Sequence, residues 1–166
     1  MSLDSLNKAR AEQAAHMFLQ CCTSKAWIDR MVNGRPYANA DALGAAADSN
    51  WQGLVEADYL EAFDGHPKIG DVSSLKEKYA NTKELAAGEQ SSVNSASEQE
   101  IEKLAQGNSD YEQKFGFIFI VCATGKSAGE MSALLQARLP NDRATELKNA
   151  AEEQRKIFHI RLEKIL

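Results

Sequence analysis

Apolar residues return every three or four positions along most of this chain, the period of a helix with one buried face. The stretch "LNKARAEQAAHMFLQCC" places Leu6, Ala9, Ala14, Met17, Phe18 and Cys21 along one face, with Lys8 and Glu12 on the other. Arg10 and Gln13 interrupt that face in its first half, so its apolar character is clearer from Ala14 onward. Shorter helical stretches are expected at Ala26–Val32, Asp41–Asp48, Trp51–Phe63 and Ser73–Tyr79. "SEQEIEKLAQGNSDYEQKFG" predicts a long helix, with Ser97 and Glu100 as a capping box at its start. "SAGEMSALLQARLPN" predicts a helix stopped by Pro140, and Arg143–Lys164 the last and longest.

One segment departs from that period. "FGFIFIVCA", Phe115 to Ala123, is a nearly continuous apolar run rich in aromatic and β-branched residues. Alone it reads as a buried strand, yet no other segment offers it a convincing strand partner. The expectation is an extended segment threaded through a helical core. Its backbone N–H and C=O groups must then find partners, and a bound ligand is one candidate. The expected fold is therefore all-α: a single-domain bundle over residues 1–166, with eight or nine helices and one buried extended segment near 115–123.

Composition narrows the function classes. With 166 residues the chain is long enough for one domain with a real core. Hydrophobic residues make up 43% and charged residues 26%, as in an ordinary soluble globular protein. The net charge of −5 and the lack of a basic cluster argue against nucleic acid or an anionic membrane as partner. The opening "MSLDSLNKARAEQ" lacks the apolar core of a signal peptide, and no apolar run approaches membrane-spanning length. The closing "EKIL" is not the peroxisomal address. Cys21, Cys22 and Cys122 make a poor disulfide framework, which points to a reducing cytoplasm. His16 beside Cys21 and Cys22 lacks the spaced ligand pairs of a metal site, so core packing is the better account and no metal is expected.

Four places invite chemistry. "ATGKSA" ends like a phosphate-binding loop, but Ile120 stands where the motif needs its first glycine, so a loop with a helix start at Ser127 explains it. "FDGHPKIGD" stops a helix between Gly65 and Pro67 and presents His66 from a stiff turn. An imidazole titrating near about 6.5 on such a support suits a proton donor; a turn histidine without chemistry is the plain alternative. Glu89-Gln90 sits among small residues with no structural task, whereas Glu98-Gln99 falls in an expected first helical turn. In the last helix Leu147, Ala151, Gln154, Phe158, Arg161 and Ile165 share one stripe. An arginine there either meets a partner or ligand, or snorkels to water near the chain end.

Taken together, "HPKIGD", "GEQ", "YEQKFGFIFIVCATGKSA", "RLPND" and "ATELKNAAEEQRKI…RLEKIL" resemble the 2-oxo-4-hydroxy-4-carboxy-5-ureidoimidazoline (OHCU) decarboxylases of uric acid breakdown. The resemblance implies an all-helical, usually dimeric enzyme that yields (S)-allantoin without metal or organic cofactor. It implies a small-molecule substrate and a homodimer. By the same resemblance His66 matches the catalytic histidine and Pro67 a substrate contact. The family's Ser-x-x-Glu-Gln loop falls on Ala86, Ala87, Gly88, Glu89 and Gln90, giving Glu89 a catalytic and Gln90 a binding role. Phe119, Ile120, Val121, Cys122 and Ala123 match a segment whose backbone grips substrate, and Arg161 a site arginine. Ala86 replaces the motif serine and removes one hydroxyl. "SASEQ" at Ser95–Gln99 fits the pattern literally, but is set aside as a helix start lying too close to Phe115.

Overall fold

The computed structural model describes residues 2–66 and 93–166, and among these are eight helices and no strand. They are α1 (Leu3–Lys8), α2 (Ala11–Leu19), α3 (Lys25–Asn33), α4 (Ala40–Trp51), α5 (Glu56–Asp64), α6 (Val93–Phe115), α7 (Ala128–Arg138) and α8 (Arg143–Ile165). The class is all-α, as the periodicity requires. The helix expected at Ser73–Tyr79 lies outside the described residues. Two compact units emerge: one joins the chain up to His66 with Asn149–Leu166, and the other, ending at Lys148, holds α6 and α7.

In the first unit, α8 supplies Phe158 to an aromatic core. Trp27 stacks on it with ring centroids 5.0 Å apart, and Trp51 meets it edge-on at 5.7 Å. Both indole N–H groups are satisfied by carbonyls 3.0 Å away, Trp27 by Ala47 and Trp51 by Ala151. These large rings are thereby buried without stranding a donor. Leu6, Ala14, Met17, Phe18 and Cys21 all join this core, so the leading apolar face is real.

It is carried by two helices, however, not one. The chain is extended at Ala9 (ψ 150°) and Arg10 (ψ 154°). The break falls where Arg10 and Gln13 interrupt the apolar face. Arg35 explains how it is tolerated: its Nη1 donates to the carbonyls of Leu6 (2.9 Å) and Ala9 (2.7 Å), which a continuous helix would have used internally. The helix expected over Trp51–Phe63 is likewise divided. Trp51 ends α4, Gln52 is extended, and α5 begins only at Glu56, where Asp58 Oδ2 accepts from Val55 N and acidic residues fill the first turn.

The long helix α6 also differs from expectation. It starts at Val93, so Ser97 and Glu100 lie inside it rather than at its start. Pro140 stops α7 as expected, and the Ser127 hydroxyl accepts from Glu130 N at 3.2 Å, making Ser127 its N-cap.

Candidate functional site

His66 stands two residues beyond α5. Its backbone N–H bonds back to Phe63 O at 3.1 Å, and Gly65 N–H to Ala62 O at 3.3 Å, so the helix end is closed by short-range bonds. Gly65 in this turn invites a reading by backbone freedom. Its φ of −72° is available to any residue, so that reason fails. A different one holds: a Cβ at Gly65 would lie 2.0 Å from Thr23 Oγ1, and that hydroxyl donates to Glu61 O at 3.0 Å. Only a residue without a side chain lets the turn before α3 clamp the end of α5.

The imidazole is half-buried, and its Nε2 hydrogen-bonds the Gln154 side-chain oxygen. Burial is the main cause that lowers the His66 pKa from its ordinary 6.5; the Gln154 bond opposes this and the Arg161 charge adds to it. Burial thus favours the neutral ring. Gln154 is fully buried on α8, and its amide nitrogen has no hydrogen-bond partner among the described residues. Two turns on, Arg161 is half-buried and its Nη1 donates to Cys21 O at 3.4 Å. Of the two sequence alternatives, a partner or a snorkel to water, it shows a partner, through a long bond and with the side chain only half-buried. Cys21 and Cys22 are buried and free, with thiol pKa values pushed up by burial to about 11 and about 12, so neither is a thiolate nucleophile at neutral pH. His16 is exposed on α2, away from any metal cluster: among the described residues no group of three or more His, Cys, Asp or Glu could hold an ion.

The extended segment belongs to the second unit. Phe115 is the last residue of α6, and the chain then leaves helix at Gly116, whose φ of +80° favours glycine. Phe117, Phe119, Ile120 and Cys122 are buried, so the apolar run is threaded through a core as expected. Cations hold its carbonyls. Arg143 Nε donates to Phe115 O (3.0 Å), Arg138 Nη1 to Ile120 O (2.7 Å) and Lys126 Nζ to Cys122 O (2.8 Å). Arg138 is fixed in turn by Glu146, a fully buried carboxylate that also accepts from Tyr111 Oη (2.6 Å) and Asn141 Nδ2 (2.9 Å). Its guanidinium lies 4.6 Å from the Phe119 ring centroid. Breaking such a buried pair costs about 3–5 kcal/mol, which is enough to hold the segment in one course. Lys126 and Ser127 thus have structural tasks, and the phosphate-loop reading has nothing left to explain.

Of the residues the sequence singled out, His66 and Arg161 lie in one unit, together with Gln154, which bonds the imidazole. Phe119–Ala123 lie in the other. Pro67, Ala86, Ala87, Gly88, Glu89 and Gln90 lie outside the described residues. Ser95–Gln99 is helical, inside α6, which removes the helix-start reason for setting that copy aside but leaves it within regular helix rather than a loop. Sequence reasoning missed Gln154, Arg138 and Glu146. Gln154 did leave a signal, as the one uncharged polar residue on the α8 stripe.

A family model described as OHCU decarboxylase matches residues 7–163. An Arabidopsis thaliana protein, "Uric acid degradation bifunctional protein TTL", is 33% identical over 145 residues, covering 87% of this chain and 45% of that one. A Bacillus sp. "Uric acid degradation bifunctional protein" is 28% identical over 172 residues, covering 99% of this chain and 32% of its own length. The chain thus spans less than half of these two relatives. Among solved structures, "Crystal structure of OHCU decarboxylase in the presence of (S)-allantoin" matches with a TM-score of 0.70 at 30% identity, covering 95% of this chain and 98% of that one.

Proposed function

Because the chain belongs to the OHCU decarboxylase family, we propose that it decarboxylates OHCU to (S)-allantoin in uric acid breakdown, without metal or organic cofactor, and that residues 1–166 act as one domain. Loss of carbon dioxide leaves an electron pair that the adjacent ring C=N accepts, so the substrate carries its own electron sink. His66 then protonates the ring carbon from one face, which fixes the handedness of the product. For this the ring must carry its second proton, and partial desolvation makes that imidazolium the stronger acid. The substrate carboxylate favours the imidazolium when it binds, and the acid becomes strong again once that charge is consumed. Arg161 supplies fixed positive charge, and Glu89 orients His66 or holds the substrate hydroxyl. Gln90, Pro67 and the backbone of Phe119–Ala123 grip the ring and ureido group.

What supports this reading is a half-buried imidazole hydrogen-bonded to Gln154, in a chain whose family match runs almost end to end. A homodimer in the cytoplasm belongs to the same proposal. It agrees with the acidic charge and the free Cys21 and Cys22 thiols, and no described helix is long and apolar enough to cross a membrane.

The test uses the full chain and freshly generated OHCU. Substrate decay with release of carbon dioxide should be accelerated, and should survive exhaustive treatment with EDTA or phenanthroline. Activity lost on chelation and restored by added zinc would contradict cofactor-free chemistry. Tight binding without acceleration would leave a helical binding module. Turnover of a related ureido compound alone would leave a same-fold enzyme of another substrate.

A further inference from the structure

Gln154 is the least expected residue beside His66. It is fully buried in the core of the first unit, where a glutamine must be hydrogen-bonded or costs stability. Its oxygen faces His66 Nε2, and its amide nitrogen is left without a protein partner among the described residues. A core position that needed only volume would take leucine or methionine. Among the described residues, Arg161 from α8 and Glu61 from α5 are the charges that act on the Cys22 thiol of the turn before α3. Of these Arg161 alone acts on the imidazole. No carboxylate among the described residues competes with Gln154 for the ring.

We propose that Gln154 is a positioning residue: its oxygen keeps a proton on His66 Nε2, so that Nδ1 is the nitrogen that carries the proton to substrate, while its amide nitrogen donates to a substrate oxygen. An acceptor at Nε2 fixes the tautomer and the ring orientation together, because a carbonyl oxygen can bond only the protonated nitrogen. In the charged ring both nitrogens hold protons. The Nε2 proton stays on Gln154, and Nδ1–H is free to transfer. When carbon dioxide leaves, the broken C–C bond gives its electron pair to the ring. The Nδ1–H bond then breaks, its proton forms the new C–H bond with that pair, and Nδ1 keeps the lone pair. His66 returns to its neutral Nε2–H form and takes its next proton from water. This rests on the decarboxylase reading for the reaction, but the tautomer is a property of the free protein.

The experiment therefore has two arms. In the first, [15N]histidine-labelled full chain is examined by long-range 1H–15N correlation at neutral pH, with His66 assigned against His66→Asn. Neutral His66 should be the Nε2–H tautomer, and Gln154→Met should turn it into a mixture. An Nδ1–H tautomer in the wild-type protein would overturn the proposal, since Gln154 would then be donating to the ring. In the second arm, Gln154→Met should lower kcat/KM about tenfold to 10²-fold through a misplaced ring. It should also move the pH limb of kcat/KM to lower pH, because the lost acceptor no longer favours the imidazolium. Gln154→Glu keeps the acceptor and loses the donor. It should move the limb to higher pH, recover part of kcat, and leave KM raised. A purely structural glutamine would change the melting temperature and neither limb. Inactive wild-type protein with the Nε2–H tautomer intact would sink the decarboxylase reading while sparing the positioning role.

Discussion

Replacing His66 with asparagine should lower kcat/KM for OHCU by about 10²–10⁴-fold, the usual contribution of a positioned proton donor. The melting temperature should stay close to that of the unaltered protein. His66 is half-buried at the end of a helix that Thr23 and the Gly65 turn already close, so its ring is not what the fold depends on. Whatever decarboxylation remains should give racemic allantoin, because water then protonates the ring from either face. The pH dependence has a definite sign. Burial lowers the pKa of free His66 below 6.5, and the donor must be protonated to work. The free enzyme governs kcat/KM, which should therefore fall as pH rises through a value below 6.5. The bound carboxylate favours the imidazolium, so kcat should fall at a higher pH. Limbs at the same pH would remove the substrate's charge from the account.

Arg161→Met should be well folded and lose about 10²–10³-fold in rate. In the free protein the guanidinium's one hydrogen bond among the described residues is a long one, 3.4 Å to Cys21 O, so little native structure rests on it. Methionine keeps the apolar stem, and removing a half-buried charge is often neutral for folding. In the proposed mechanism the same charge would stabilise the anion left by carbon dioxide, and its loss would cost several kcal/mol. Lysine should rescue only partly, lacking the planar fork. A second readout is independent of rate. Arg161 lowers the His66 pKa, so the variant's kcat/KM limb should move to higher pH. Near-normal turnover would return Arg161 to a core-edge role.

The elements that could be read from the chain are those governed by neighbouring residues. α3, α7 with its Ser127 cap and Pro140 stop, and α8 follow from local periodicity and turn chemistry. The buried course of Phe117–Cys122 follows from composition. The division of α1 from α2 does not, because the group that makes it affordable is Arg35, 29 residues from Leu6 and 26 from Ala9. Gln154 is a sharper case. On the α8 stripe it looks like a weak spot in an apolar face, and only its contact with His66, 88 residues away, gives it meaning. Glu146 is similar: near the start of α8 it suits the helix dipole, and nothing local reveals that it is fully buried against Arg138 and Tyr111. The roles of Glu89 and Gln90 rest on the family pattern rather than on described geometry.

The central claim is that this chain turns OHCU into one hand of allantoin. Circular dichroism of the allantoin formed from freshly generated OHCU tests it most directly. With the protein present the product should appear faster than in buffer and carry the full signal of the (S) enantiomer. A racemic product formed at the buffer rate would contradict it.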